Sequence, residues 1–334
     1  MVKKLNVGII GLGVGLNHLK CFIQNKNCRV ISVCDFDEEK IKVIQSKFPK
    51  IKTTLVDRDI IEDKNIDLVC IASYDIYHCE QLISAVKNNK HVFVEKPLCT
   101  NYKEFIKIKE ILKKNPKIRI SSNFILRGAP QFMALNNMIE KKKFGKIFYI
   151  SGEYNYGRLG KIVNGWRSDM FNYSVTHGGA IHIIDLALSL LKKRPKKVVA
   201  SGNNISTAHT NFKSNDIINS TIKFEDNTIV NITSNFGCVM PHHHTFKLYG
   251  TKRTFIQDYK RVYVSNSRQI NNKIIKINDN YLNKNKKKVL ESFIDSLVSK
   301  KKPLVSQKDV FSSMAISLAI DKSVKSNKWE KIRY

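Results

Sequence analysis

The 334-residue chain is 42% hydrophobic and carries 58 lysines and arginines against 28 acids, a formal charge of +30. That length supports two domains with full cores. No apolar run nears the roughly 18 residues of a membrane span, so a transmembrane chain is not expected. The basic excess raises nucleic acid as a partner. The lysines are nevertheless spread along the whole chain, in clusters such as Lys141-Lys142-Lys143, Lys286-Lys287-Lys288 and Lys300-Lys301-Lys302. Asn and Ile are also abundant, as coding sequence of high AT content produces. No nucleic-acid partner is expected, although a positive field helps to capture anionic substrates. The seven cysteines are scattered and form no C-x-x-C pair. That fits a reducing cytoplasm, with neither a disulfide framework nor a zinc site.

The N-terminus, MVKKLNVGIIGLG, superficially suggests a signal peptide. Its glycines sit at turn spacing and no small-residue cleavage site follows, so residues 5–10 read as a first strand. Gly11-Leu12-Gly13-Val14-Gly15 comes next, then a helical pattern to about residue 25. Strand, glycine turn and helix is the context of a dinucleotide-binding turn. Gly11 permits the tight turn and Gly13 lets the backbone approach a pyrophosphate. The helix N-terminus, with Val14 and Gly15, receives it. Leu16 holds the usual third glycine position and Gly15 comes one residue early, so helix–strand packing is expected to differ.

The apolar strand at 29–34 ends in Asp35, 22 residues after Gly13. A carboxylate there accepts ribose hydroxyls and repels a 2′-phosphate. Phe36 follows it, not an arginine that welcomes the phosphate, so NAD is expected over NADP. Asp35 also suits a helix cap together with Asp37 and Glu38. A helix near 38–48, a weak strand at 52–55 and a wholly apolar strand at 67–72 follow. Ser73 and Tyr74 end that strand and His78 opens a helix, which puts all three where a cofactor passes.

Residues 91–100, HVFVEKPLCT, are the centre of the reading. Val92-Phe93-Val94 make a short strand, and Glu95-Lys96-Pro97 end it with charge at the edge where open α/β sheets hold ligands. Pro97 keeps Lys96 out of the helical region, at a bend. A lysine there binds an anion or hydrogen-bonds a hydroxyl; a strand-end salt bridge of Glu95 is the plain alternative. A strand at 118–122 ending at Asn123 closes a doubly wound parallel sheet of Rossmann type. It is assigned to residues 1–124, and the rest, 125–334, to a second domain.

That second part is α+β. After a helix at 131–142 come long alternating segments at 146–156, 196–205, 217–224 and 228–236, with Glu225-Asp226-Asn227 as a hairpin turn. Further strands fit 244–249, 254–258, 261–264 and 273–277, so a large, mostly antiparallel open sheet is expected. Residues 266–288 read as an exposed connection, and helices near 287–298 and 308–326 close the chain. His182 and Asp185 lie three apart, on one face of the helical stretch HGGAIHIIDLAL at 177–188. The imidazole's near-neutral pKa suits proton transfer, while a buried histidine satisfied by Asp185 is the plain alternative. His242-His243-His244 resembles a metal tract, but consecutive strand residues point to opposite faces, so no metal is expected.

The chain resembles the glucose–fructose oxidoreductase, inositol dehydrogenase and MocA (Gfo/Idh/MocA) family. The likeness rests on GLGVG, the strand-end Asp35, EKPL at 95–98, Asn123 with Arg127 and Pro130, Trp166-Arg167, and residues 177–188. It implies an NAD-dependent oxidoreductase that moves hydride between nicotinamide and a carbinol carbon of a sugar, cyclitol or nucleotide-linked sugar. It implies Lys96 and His182 as the acid–base pair. It places Asn123 and Arg167, with Glu95, near the nicotinamide end, and Arg127, Trp166 and Asp185 on the substrate side. Many members carry Asp four residues before the histidine; Gly178 stands here, preceded by His177. Either Lys96 and His182 suffice, or His177 takes part. A cytoplasmic homo-dimer or homo-tetramer acting on a small molecule is expected. The rivals are an NAD-dependent glycoside hydrolase that oxidises its sugar transiently, and a non-catalytic NAD or sugar sensor.

Overall fold

The computed structural model of the chain describes residues 4–170, 173–269, 274–276, 287–299 and 301–334. They form two units, Met1–Ile125 with Asn285–Val310, and Leu126–Lys284 with Phe311–Tyr334.

In the first unit, strands and helices alternate: β1 Leu5–Ile10, α1 Gly15–Gln24, β2 Cys28–Cys34, α2 Glu38–Lys47, β3 Lys52–Thr54 and α3 Arg58–Ile61. There follow β4 Leu68–Ile71, α4 His78–Lys87, β5 His91–Val94, α5 Tyr102–Lys114 and β6 Ile120–Ser122. The sheet runs β3-β2-β1-β4-β5-β6, all pairs parallel. Its central strands are apolar because both faces are covered; Leu68 to Ile71 and Val92 to Val94 have no exposed surface. Local chemistry starts the helices. Asp37 caps α2 by accepting from the Glu39 and Lys40 amides, and Asn101 caps α5 at the Glu104 amide. The register sets Ile10 beside Cys34 and Ile71, Ile71 beside Val94, and Val94 beside Ser122. Gly11, Asp35, Glu95 and Asn123 therefore stand along one carboxyl edge.

The second unit comprises α6 Pro130–Glu140, β7 Ile147–Asn155, α7 Gly160–Val163, α8 Ile181–Leu191, β8 Pro195–Asn203, β9 Ile217–Phe224, β10 Ile229–Asn235 and β11 His243–Gly250. It continues through β12 Thr254–Gln257, β13 Val262–Ser265 and β14 Ile275–Lys276, and ends with most of α10, Gln307–Ser326, and β15 Glu330–Lys331. Among the described residues its nine strands run β14-β13-β12-β11-β7-β10-β9-β8-β15, antiparallel except for β7 with β10. Asn227, at φ 64°, turns the expected hairpin between β9 and β10. The apolar α8 lies on this sheet. Gly152 of β7 leaves the room that Ile183 fills, a burial that contributes about 2 kcal/mol.

One assignment is corrected. The helix α9, Lys288–Ser299, and the chain after it to Val310 belong to the first unit, not to the second. Phe293 packs 6.0 Å from Phe93, Arg119 donates to the Ser296 carbonyl at 2.7 Å, and buried Ser121 donates to the Val305 carbonyl at 2.9 Å. An amphipathic pattern shows which face of a helix is buried, not on which sheet. The ends of the strand expected at 273–277, and most of the connection expected at 266–288, lie outside the described residues. Among those described, no helix is long and apolar enough to cross a membrane.

Candidate functional site

The first unit's edge begins at the glycine turn. Gly11 has φ 89°, and a Cβ there would overlap the Ala72 carbonyl. Nothing lies within 4 Å of a Cβ at Gly13, so its face is open to an incoming group. At Gly15 a Cβ would sit 3.2 Å from Ala72 Cβ and 3.3 Å from Ile9 Cγ2. Gly15 thus does the close packing of helix on strand that the sequence expectation took to be altered. The open Gly13 face at a helix N-terminus is one that could hold a dinucleotide pyrophosphate.

Asp35 is buried. Its Oδ2 accepts from the Leu12 amide at 2.6 Å and its Oδ1 from the Asp37 amide at 3.0 Å. Lys40 Nζ stands 3.5 Å from Oδ1 and 3.2 Å from Asp37 Oδ2. The carboxylate therefore orders the glycine turn as well as facing the edge, and sequence reading overlooked the cation beside it. Phe36 is 66% exposed, with the Tyr74 ring 5.6 Å away, so two aromatic faces border this end. Ser73 donates to Gln81 Oε1 at 2.6 Å. His78 is corrected from ligand contact to backbone pin. Its ring has no exposed surface, with Nδ1 2.6 Å from the Pro97 carbonyl and Nε2 3.2 Å from that of Ser73.

Glu95 is a second buried carboxylate of this edge. Its Oε1 accepts from Asn123 Nδ2 at 2.8 Å and faces His18 Nε2 at 2.8 Å. Burial opposes its charge, but the His18 hydrogen bond, the charges of His18 and Lys96 and the Asn123 bond outweigh it and hold the carboxyl down at about 2. The Lys96–Pro97 peptide is cis. Buried Asn123 Oδ1 and Ser122 Oγ have no partner among the described residues, the state of groups that await a ligand hydroxyl or water. His18 escaped the sequence reading; its one signal was a place on the buried stripe of α1 with Leu19 and Phe22.

The second unit carries the histidines. A π-turn over Thr176–Ala180 leads into α8, a winding frequent at functional sites. His182 is 5% exposed and stacks on Tyr154 at 6.2 Å. Asp185 was expected to hold this ring. Its two oxygens take a bidentate pair from Arg127, both bonds 2.7 Å, and a bond from Ser313 at 3.2 Å. Arg127 and Asp185, read as substrate contacts, are committed to each other. His177 is buried, its Nε2 3.1 Å from Asp321 Oδ2, and Ser174 donates to the other oxygen of Asp321 at 2.8 Å. Arg167 lies over the Trp166 ring at 4.4 Å and donates from Nε to the Tyr173 hydroxyl at 3.1 Å.

His244 and His242 lie 4.9 and 5.1 Å from the Tyr154 ring, while His243 turns the other way to Tyr259 at 5.0 Å. Among the described residues no group of three or more His, Cys, Asp or Glu side chains could hold a metal ion. Burial, then the neighbouring charges of His242, His182, His243 and Arg158, push the His244 imidazole well below its ordinary 6.5. The unfolded chain then binds a proton near pH 6.5 that the folded chain refuses. Stability therefore falls as pH drops below that value. Urea unfolding at pH 7 and pH 5 checks this: His244→Phe should flatten the acid-side loss. An unchanged slope would contradict the assignment.

Residues 5–124 match the model of an oxidoreductase family with an NAD-binding Rossmann fold, and residues 132–256 match the C-terminal domain of the same family. The chain belongs to the Gfo/Idh/MocA family. Inositol 2-dehydrogenase of Salmonella typhimurium is 27% identical over 153 residues, 45% of this chain and 46% of that one. The match thus spans about half the length of the curated relative. Among solved structures, myo-inositol 2-dehydrogenase of Lactobacillus plantarum superposes with TM-score 0.85 at 20% identity, over 99% of this chain and 100% of that one. The scyllo-inositol dehydrogenase of Lactobacillus casei, with NAD(H) and scyllo-inositol bound, gives 0.81 at 17% identity, over 99% of each chain. At such identities the two structures speak to the fold.

Proposed function

We propose that this family member is an NAD-dependent dehydrogenase of a polyol: a cyclitol, a sugar or a nucleotide-linked sugar. The observation that carries the reading is Lys96, set beside a carboxylate that keeps its charge, on the same sheet edge as the glycine turn and the unsatisfied Asn123 oxygen. The inositol dehydrogenases among its relatives support a polyol.

When bound, the nicotinamide supplies the redox chemistry. Gly13 and the start of α1 take its pyrophosphate, Asp35 its adenosine ribose, and Asn123 a hydroxyl at the nicotinamide end. Lys96 donates a hydrogen bond to the reacting carbinol oxygen and favours the charge that develops there. His182 takes the proton from that oxygen in oxidation and returns it in reduction. Glu95, held by His18 and Asn123, sets a negative charge beside Lys96.

The test is the absorbance of reduced cofactor at 340 nm with NAD and a panel of myo-inositol, scyllo-inositol, D-glucose and UDP-N-acetylglucosamine. Polyol-dependent growth is expected, and failure to bind NAD overturns the reading. NAD should bind more tightly than NADP, and Asp35→Ala should narrow the difference. Equal or tighter binding of NADP by the unaltered chain would contradict this, with Lys40 as the cation responsible.

A further inference from the structure

We propose that the cavity where the start of β8, the β9–β10 turn and the chain after β15 meet binds a small organic phosphate, a nucleotide or a sugar phosphate. All of its lining residues belong to the second unit, and the proposal does not depend on the polyol reading. Its volume is about 620 Å³, within the range of small-ligand pockets. Buried Pro195, Phe224 and Ile332 supply the apolar part of its lining. The strand register explains why basic side chains gather round it. Pro195 pairs with Phe224 across β8 and β9, and Lys331 with Lys197 across β15 and β8. Lysines at facing positions of a strand pair repel. Lys197 turns to the Trp329 ring at 4.7 Å, while its neighbour Lys196, on the opposite face of the strand, lines the cavity with Lys331.

The charges that line the cavity do not cancel. Lys193 and Asp226 are bonded to each other. Arg194, Lys196 and Lys331 remain against Glu225, three cations to one acid. Glu330, next to Lys331, is taken up by Lys322 at 2.5 Å and Ser326 at 2.9 Å. The guanidinium of Arg194 lies over the Tyr334 ring, 4.9 Å from its centre, and Tyr334 in turn donates to the Pro195 carbonyl at 3.2 Å. An arginine held on a ring keeps its planar fork of donors at its rim, a pattern that takes two oxygens of a phosphate. The two lysines add point charge, and an anion among the three cations relieves their repulsion. Glu225 accepts from hydroxyls, which an ester of ribose or of a sugar presents and an inorganic anion lacks. Cations for the phosphate, a carboxylate for hydroxyls and an apolar lining for the body of the ligand thus meet in one cavity.

Isothermal titration calorimetry of the full chain tests this, with ATP, glucose 6-phosphate and glucose as probes. Saturating NAD is present throughout, so that a phosphate bound at the glycine turn is displaced and does not register. One-site binding of a phosphate ester that weakens as salt rises is expected, with no binding of glucose. ATP alone or glucose 6-phosphate alone supports the proposal and names the source of the phosphate. Lys196→Glu and Lys331→Glu should each weaken binding about 10-fold or more, the scale of a lost hydrogen bond to a charged group. Both lysines are exposed, so the fold should survive, and the milder Lys196→Gln and Lys331→Gln should fall between. Lys247→Glu makes the same change of charge at an exposed position of β11 and should bind as the unaltered chain does. Thermal unfolding is the second reading: the ester should raise the Tm of the unaltered chain and of Lys247→Glu, but not of Lys196→Glu. Absence of saturable binding by either ester, equal binding of glucose, or equal weakening by Lys247→Glu overturns the proposal. So does undiminished binding in Lys196→Glu and Lys331→Glu.

Discussion

Lys96→Met is expected to cut turnover by about 10²-fold or more, the usual scale of a lost acid–base partner, while NAD binding stays largely intact. The reason is local. Methionine keeps the length of the side chain and removes its charge, and the glycine turn that takes the dinucleotide owes nothing to Lys96. Glu95 then loses one of the charges that hold it low, but the first of these, the His18 hydrogen bond, remains. Folding should therefore survive, and steady-state kinetics beside a cofactor titration separates the two effects. Normal turnover in Lys96→Met would remove Lys96 from the chemistry.

The second large effect belongs to His182→Ala. A carbinol cannot be oxidised unless its oxygen gives up a proton, and His182 is the candidate acceptor. Loss of about 10²- to 10⁴-fold in kcat is expected. His177→Ala should act mainly on KM. Its ring is turned to Asp321, so its removal disturbs the turn before α8 and weakens ground state and transition state alike. Reversed phenotypes, with His177→Ala nearly dead and His182→Ala nearly normal, would assign the proton to the other histidine.

Much of this was legible from short-range signals. The glycine turn, Asp35 and the Glu95-Lys96-Pro97 strand end each lie within a few residues of the strand that positions them, so apolar pattern and turn chemistry located them. The alternating segments likewise announced the antiparallel sheet, although no local signal told that β7 and β10 run parallel. What stayed hidden depends on distant partners. His18 reaches Glu95 across 77 positions, and Asp321 meets Ser174 across 147. Asp185 stands three residues from His182 on a helix, and that local spacing hides its long-range partner. Arg127, 58 positions away, offers a planar fork that a carboxylate accepts at two points, a stronger match than an imidazole. Gly178 read as a missing acid, because a sequence does not show that the Tyr173 ring fills the space.

The proposed reaction is direct transfer of a carbinol hydrogen to the nicotinamide, with Lys96 and His182 handling the proton on the oxygen. Mass spectrometry of the reduced cofactor tests it most directly, after incubation of the protein and NAD with the carbon-deuterated form of a panel polyol that reduces it. One deuterium on the nicotinamide ring of each reduced cofactor is the predicted result. Deuterium retained in the product or washed into water, with no label on the recovered cofactor, would contradict the account.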